Sequence, residues 1–166
     1  MLDKMIGFIG AGNMGSAMIG GILDASLVTT SQIITSAHSP ETLDKIRTKF
    51  SIETTQSNEV VAERSDILFL AVKPNKFAEV LPQIKDHLKP DCIVVSIAAG
   101  QPISNIEAIL GKIKLIRAMP NTPALVGAAM SALCPNDKVT AEEVKLIESL
   151  FNSFGRAEVV PESMMD

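Results

Sequence analysis

An α/β fold built on a doubly wound, mostly parallel sheet is what this chain of 166 residues predicts. Three observations carry that expectation. Short apolar runs bounded by turn residues alternate with segments whose apolar residues repeat at helical spacing. Residues 66–72, Asp-Ile-Leu-Phe-Leu-Ala-Val, are apolar almost without a break, as in a central strand covered on both faces. The third is Gly10-Ala11-Gly12-Asn13-Met14-Gly15, a G-x-G-x-x-G stretch with an apolar run before it and small, apolar residues after it.

The elements follow in order. Residues 5–9 read as the first buried strand and residues 16–23 as a helix that packs closely on the sheet. Residues 31–36 form a second strand, and Ser39-Pro40 opens a helix with Ser39 as N-cap and Pro40 at its first position. Leu43, Ile46 and Phe50 recur along that helix. A short third strand covers 51–55, and Asn58 starts a short helix through Val60 and Val61. After the strand at 66–72, Lys73-Pro74 is the stop, and Phe77, Val80, Leu81 and Ile84 mark the next helix. Strands at 92–97 and 114–118 flank a helix at 103–110, and a further strand lies within 126–133. Thr140-Ala141-Glu142-Glu143 is a capping box whose helix turns Val144, Ile147 and Leu150 inward. Residues 156–160 are the last strand, and residues 161–166 have the look of a new helix that Ser163 could cap.

With 46% apolar and 20% charged residues the chain can bury a real core. A net charge of −4, with no basic patch interleaved with aromatics, argues against a nucleic-acid partner. No apolar stretch approaches the roughly 18 to 20 residues of a membrane span, and the glycine turn interrupts any secretory leader. Cys92 and Cys134 sit in apolar surroundings and read as buried free thiols, which fits a reducing cytoplasm.

The glycine stretch carries the chemistry. Gly10 permits the tight turn, Gly12 lets a pyrophosphate approach the backbone, and Gly15 lets the helix sit on the strand. The helix N-terminus then faces the phosphates with free N–H groups and the positive end of its dipole. About 20 residues further on, an NAD-selective site carries an acid for the ribose hydroxyls. Here the segment reads Ser36-Ala37-His38-Ser39, with no acid until Glu41. Hydroxyls and an imidazole can donate to a 2′-phosphate where an acid would repel it, so NADP(H) is favoured and NAD(H) stays open. Ala71, Val72, Lys73 and Pro74 would line the nicotinamide ribose, with Lys73 equally readable as a solvated residue. Ala98, Ala99 and Gly100 would let a flat nicotinamide ring approach the backbone, though a tight turn needing Gly100 explains them as well. The loop Met119-Pro120-Asn121-Thr122-Pro123 is preset by its prolines, making Asn121 and Thr122 candidates to orient a carboxamide or a substrate. No Ser-His-Asp arrangement, paired-cysteine metal motif or phosphate-loop lysine is present, so metal and catalytic residues are expected to be none in this chain. The cofactor itself would carry the chemistry.

Taken together, residues 6–15, 70–74, 96–100 and 117–126 resemble the pyrroline-5-carboxylate reductase family, in the family's order and over nearly the whole chain. The resemblance implies a Rossmann-like domain over residues 1–160 and NAD(P)H-dependent reduction of 1-pyrroline-5-carboxylate to L-proline, a step of proline biosynthesis. It implies that Gly10, Ala11, Gly12, Asn13 and Met14 hold the pyrophosphate, with Ile9 and Gly15 also among the cofactor-binding residues. Ser36, His38 and Asn58 would meet the adenosine side, and Ala71 to Pro74 with Ala98 to Gly100 the nicotinamide half. It also implies a helical domain beyond residue 166 that builds a homo-oligomer and most of the substrate pocket, with residues 161–166 its first turn. The chain would then be the cofactor-binding half, with little activity alone. Another imine or β-hydroxyacid reductase, or a non-catalytic nucleotide-sensing module, are the competing readings.

Overall fold

In the computed structural model, residues 2–120 and 129–165 are described. Strands β1 (Ile6–Ile9), β2 (Ile33–Ser36), β3 (Glu53–Thr55), β4 (Ile67–Leu70), β5 (Ile93–Ser96), β6 (Lys114–Met119), β7 (Ala129–Pro135) and β8 (Gly155–Val159) join one sheet. Its order is β3-β2-β1-β4-β5-β6-β7-β8. The helices are α1 (Asn13–Asp24), α2 (Pro40–Phe50), α3 (Asn58–Arg64), α4 (Phe77–Ile84), α5 (Ile103–Leu110) and α6 (Ala141–Phe151).

Period-two alternation within the strands divides the core between the two faces of the sheet. Phe8, Ile67 and Phe69 belong with Met18, Ile19 and Ile22 of α1, Ile46 of α2 and Phe151 of α6. Ile9, Leu68 and Leu70 belong with Val61 of α3, Val80 and Leu81 of α4, and Ile106 of α5. Every strand residue of β1, β4 and β5 is buried, the mark of a sheet covered on both sides. At its centre Phe8 and Phe69 stack with ring centroids 4.7 Å apart. Each such side chain contributes about 1.5–3 kcal/mol through burial. The doubly wound, mostly parallel α/β fold is therefore observed, with α1, α2 and α6 on one face and α3, α4 and α5 on the other.

Strands β1 to β6 run parallel to one another; β7 is antiparallel to β6, and β8 parallel to β7. The connection from β6 to β7, residues 120–128, is shorter than the dozen or so residues that a parallel crossover requires. The strand expected within 126–133 is described from Ala129 and runs on to Pro135.

Several boundaries differ from expectation for local reasons. β2 begins at Ile33 because Thr30–Gln32 form a 3-10 turn, closed by a capping box between Thr29 and Gln32. β3 begins at Glu53 because Ser51, at φ 59°, is the left-handed C-cap of α2. The helix at Asn58 continues to Arg64 behind an N-cap supplied by Ser57. Ser39 and Thr140 cap α2 and α6 as expected. After Pro161 the described chain makes one 3-10 turn, Glu162–Met164, with Ser163 exposed inside it rather than capping. That segment is tied down: Glu162 accepts from the Ile103 N–H at 2.7 Å and faces the buried Arg117 at 3.4 Å. No described helix is long and apolar enough to cross a membrane.

Candidate cofactor site

The chain leaves β1 toward β2 and β3 on one side, then returns to place β4 on β1's other flank. The strand order reverses there, at the β1–β4 boundary. In open α/β sheets such a reversal opens a crevice outside the carboxyl ends of the strands. Ser36, Ile9, Leu70, Ser96 and Arg117 stand in register across β2, β1, β4, β5 and β6. The segments singled out from the sequence therefore leave from one level of one edge. Gly10 N–H donates to the Ser36 carbonyl at 3.0 Å, and Ala71 N–H to that of Ile9 at 2.8 Å. Thus the glycine turn, the end of β2 and the turn after β4 are fastened together.

The three glycines of the turn are required in three different ways. Gly10 has φ +98°, and a Cβ there would lie 2.7 Å from the Ala71 carbonyl oxygen, so both the conformation and the contact exclude a side chain. A Cβ on Gly15 would come within 3.2 Å of the Gly10 oxygen, which keeps α1 close to the turn. Gly12 differs. Its φ of −75° suits any residue, and among the described residues nothing lies within 4 Å of a Cβ placed there. Nothing described in the protein uses the space that this glycine keeps open.

Gly12 is also the N-cap of α1, where no side chain caps the helix and the first turn carries no acid. The N-terminal amides of this helix and the positive end of its dipole meet no negative group from the α1 sequence. An exposed backbone cradle at a positive helix end fits a phosphate. Ile9, Ala11 and Gly15 are buried, Met14 is packed against the core, and Gly12 and Asn13 are exposed. A groove of about 1100 Å³ runs from this turn along the outer flank of α1, past Gly20 and Gly21 to Phe154.

Beyond the end of β2, His38 is exposed, whereas Ser36 is buried at 1% exposure and donates its hydroxyl to Asn58 Oδ1 at 2.7 Å. Asn58 Nδ2 donates in turn to Gln83 Oε1 at 2.8 Å. On the other side of the crevice, Ala71 and Val72 are half-buried, while Lys73 and Pro74 are exposed and open a 3-10 turn. Ala98 is buried, and Ala99 and Gly100 are exposed. Gly100 has φ +70° with open space around it, so the turn itself requires glycine there. Asn121 and Thr122 lie outside the described residues.

Three participants were not visible in the sequence. Gln83 sits on α4 and joins Asn58; Gln101 Nε2 donates to the Pro74 carbonyl at 3.3 Å and ties the loops after β4 and β5; Glu162 caps α5. Each is an ordinary exposed or half-exposed polar residue whose partner lies 25 to 59 positions away. No local pattern could have found them.

Both cysteines are free and buried, as expected. Burial pushes the Cys92 thiol up to about 12, so it stays protonated and unreactive near neutral pH. His87, on the surface, pairs its Nδ1 with Glu63 at 2.6 Å. The described residues contain no group of three or more His, Cys, Asp or Glu that could hold a metal.

The model of a family described as NADP oxidoreductase, coenzyme F420-dependent, matches residues 5–100. The chain is 43% identical over 165 residues to the pyrroline-5-carboxylate reductase of Escherichia coli strain K12, covering 99% of this chain and 61% of that protein. It superposes on the structure of a pyrroline-5-carboxylate reductase from Coxiella burnetii with a TM-score of 0.92 and 34% identity, over 96% of this chain and 59% of that one. The Plasmodium falciparum pyrroline carboxylate reductase with NADP bound gives a TM-score of 0.89 and 32% identity, over 99% and 60% of the two chains. The chain thus spans about three fifths of the length of the relatives it matches. The resemblance expected from the motifs is borne out along the whole sequence, and through the match over residues 5–100 the chain belongs to the NADP oxidoreductase, coenzyme F420-dependent family.

Proposed function

We propose that this chain is the dinucleotide-binding part of a reductase that uses NAD(P)H to convert 1-pyrroline-5-carboxylate into L-proline. The observation that carries the reading is Gly12: space kept open at an uncapped helix N-terminus, on the edge where the strand order reverses. A pyrophosphate answers both the unfilled space and the unbalanced dipole. The similarity to pyrroline-5-carboxylate reductases supports the substrate assignment.

In this reading Ile9 and Gly10 to Gly15 hold the pyrophosphate. Ser36, His38 and Asn58 receive the adenosine ribose, and Ala71 to Pro74 with Ala98 to Gly100 flank the nicotinamide. When bound, a reduced nicotinamide supplies hydride to the C=N carbon. The chain's contribution is to orient the ring at contact distance and to present one of its faces. The turn after β2 carries no acid through Pro40, and exposed His38 lies there beside the hydroxyl of Ser39. This favours NADP(H) over NAD(H). Residues 1–160 form the dinucleotide-binding domain, and the remainder of such a protein supplies the substrate pocket and a homo-oligomer interface. The buried free thiols accord with a reducing cytoplasm.

Calorimetric titration of this chain with NADPH and NADH tests the reading. Binding of NADPH tighter than NADH is the expected result. Equal binding removes the NADP(H) preference, and binding of neither overturns the cofactor assignment.

A further inference from the structure

We propose that Gln83, on α4, is a positioning residue of the adenosine side of the site, acting through the side-chain amide of Asn58. The inference rests on the cofactor reading above and adds a residue to it. Three elements meet here: Ser36 ends β2, Asn58 opens α3, and Gln83 lies near the end of α4. The Ser36 hydroxyl is buried, so its proton needs an acceptor inside the protein. Asn58 Oδ1 takes it at 2.7 Å. With the amide oxygen committed on that side, the amide nitrogen faces α4 and donates to Gln83 Oε1 at 2.8 Å.

Turning the Asn58 amide over would deprive the buried Ser36 proton of its acceptor, so that proton sets the polarity: Ser36 donates to Asn58, and Asn58 donates to Gln83. Gln83 is the acceptor that holds the outer end of the amide in this orientation. The amide keeps one N–H and one oxygen lone pair beyond these two bonds. That N–H is the donor Asn58 can offer to a phosphate or ribose oxygen, and its direction is set from α4. The Ser36 proton, spent inside the relay, is not available for the same task while the relay holds. A residue that touches no cofactor thus governs how a cofactor-facing amide is presented.

Calorimetric titration of four proteins with NADPH tests this: the unaltered chain, Gln83→Leu, Asn58→Ala and the double variant. Gln83→Leu keeps the side chain's length and helix propensity but has no acceptor. It is expected to weaken NADPH binding about three- to tenfold, the worth of one oriented hydrogen bond. In the Asn58→Ala background the same change is expected to have no further effect, because the residue acts only through Asn58. Urea midpoints of Gln83→Leu and the unaltered chain are expected to coincide, since Gln83 is exposed. Unchanged NADPH binding by Gln83→Leu overturns the inference and leaves the cofactor reading standing. So does an equal loss in the presence and absence of Asn58. Failure of the unaltered chain to bind either dinucleotide overturns the cofactor reading, and the inference falls with it.

Discussion

Two described helices near the carboxyl edge of this sheet, α1 and α5, begin with neither a side-chain cap nor an acid in the first turn. Neither helix has a side-chain acceptor at its N-cap, Gly12 or Pro102. They resolve the problem differently. The α5 N-terminus receives a carboxylate from 59 residues away, where Glu162 Oε2 accepts from Ile103 N–H while also facing the buried Arg117. Among the described residues, nothing lies within 4 Å of a Cβ placed at Gly12, the N-cap of α1. Where a helix end serves the architecture, as at α5, the chain brings its own anion. In the proposed cofactor reading, the α1 end is left bare for a phosphate. A third helix, α6, shows the ordinary local solution, with Thr140 and Glu143 in a reciprocal capping box.

The sharpest way to break the contrast is within the α1 turn itself. Gly10→Ala forces a side chain into a left-handed residue and against the Ala71 carbonyl, and is expected to cost about 3 kcal/mol of stability. Gly12→Ala meets no described atom, so its urea midpoint is expected to stay within about 0.5 kcal/mol of the parent. Its NADPH affinity is nevertheless expected to fall about tenfold or more, because the methyl occupies the cradle. A large loss of stability at Gly12 would show that the space belongs to the fold.

The converse change removes the borrowed anion. Glu162→Ala leaves Ile103 N–H without its acceptor and takes an ion-pair partner from Arg117, with an expected loss of about 1–3 kcal/mol in denaturant unfolding. Adding an anion to α1 is expected to do the opposite. Asn13→Asp places a carboxylate in an acid-free first turn and is expected to stabilise the fold by about 0.3–1 kcal/mol. The same charge repels phosphate, so NADPH binding is expected to weaken. Stability and affinity moving in opposite directions would mark this helix end as a ligand site.

The smallest effect belongs to α6. Burial alone would raise the Glu143 carboxyl, but hydrogen bonds from Lys114 Nζ, at 2.7 Å, and from Thr140 override it and hold the group below its ordinary value of 4.5. A carboxylate with a lowered folded pKa contributes stability that is complete above about pH 4.5. That stability is lost as pH falls through the folded value. Glu143→Gln keeps the acceptor of the capping box and removes the charge. Its expected cost is up to about 1 kcal/mol at pH 7, fading as pH falls below that range, measured as urea midpoints along a pH series.

Local patterns made much of this protein legible. Hydrophobic runs and period-3.6 spacing placed the strands and helices, Ser39 and Thr140 announced their caps, and Gly10-x-Gly12-x-x-Gly15 located the turn, because each depends on neighbours a few residues apart. Boundaries slipped where a local turn competed with a strand, as at Thr30–Gln32 and Ser51. The antiparallel turn of β7 against β6 was implicit in a short connection but invisible to periodicity, which is blind to strand direction. Only the tertiary structure could show that a side chain is excluded at Gly10 and not at Gly12, since a Cβ on Gly10 would meet the Ala71 carbonyl 61 residues on, whereas one on Gly12 meets no described atom. The same holds for Gln83 behind Asn58 and Glu162 beneath α5. A polar side chain on a helix flank has no sequence signature for its partner. Its role exists only once the sheet order brings distant segments to one edge, where buried hydrogen-bonding groups must find each other.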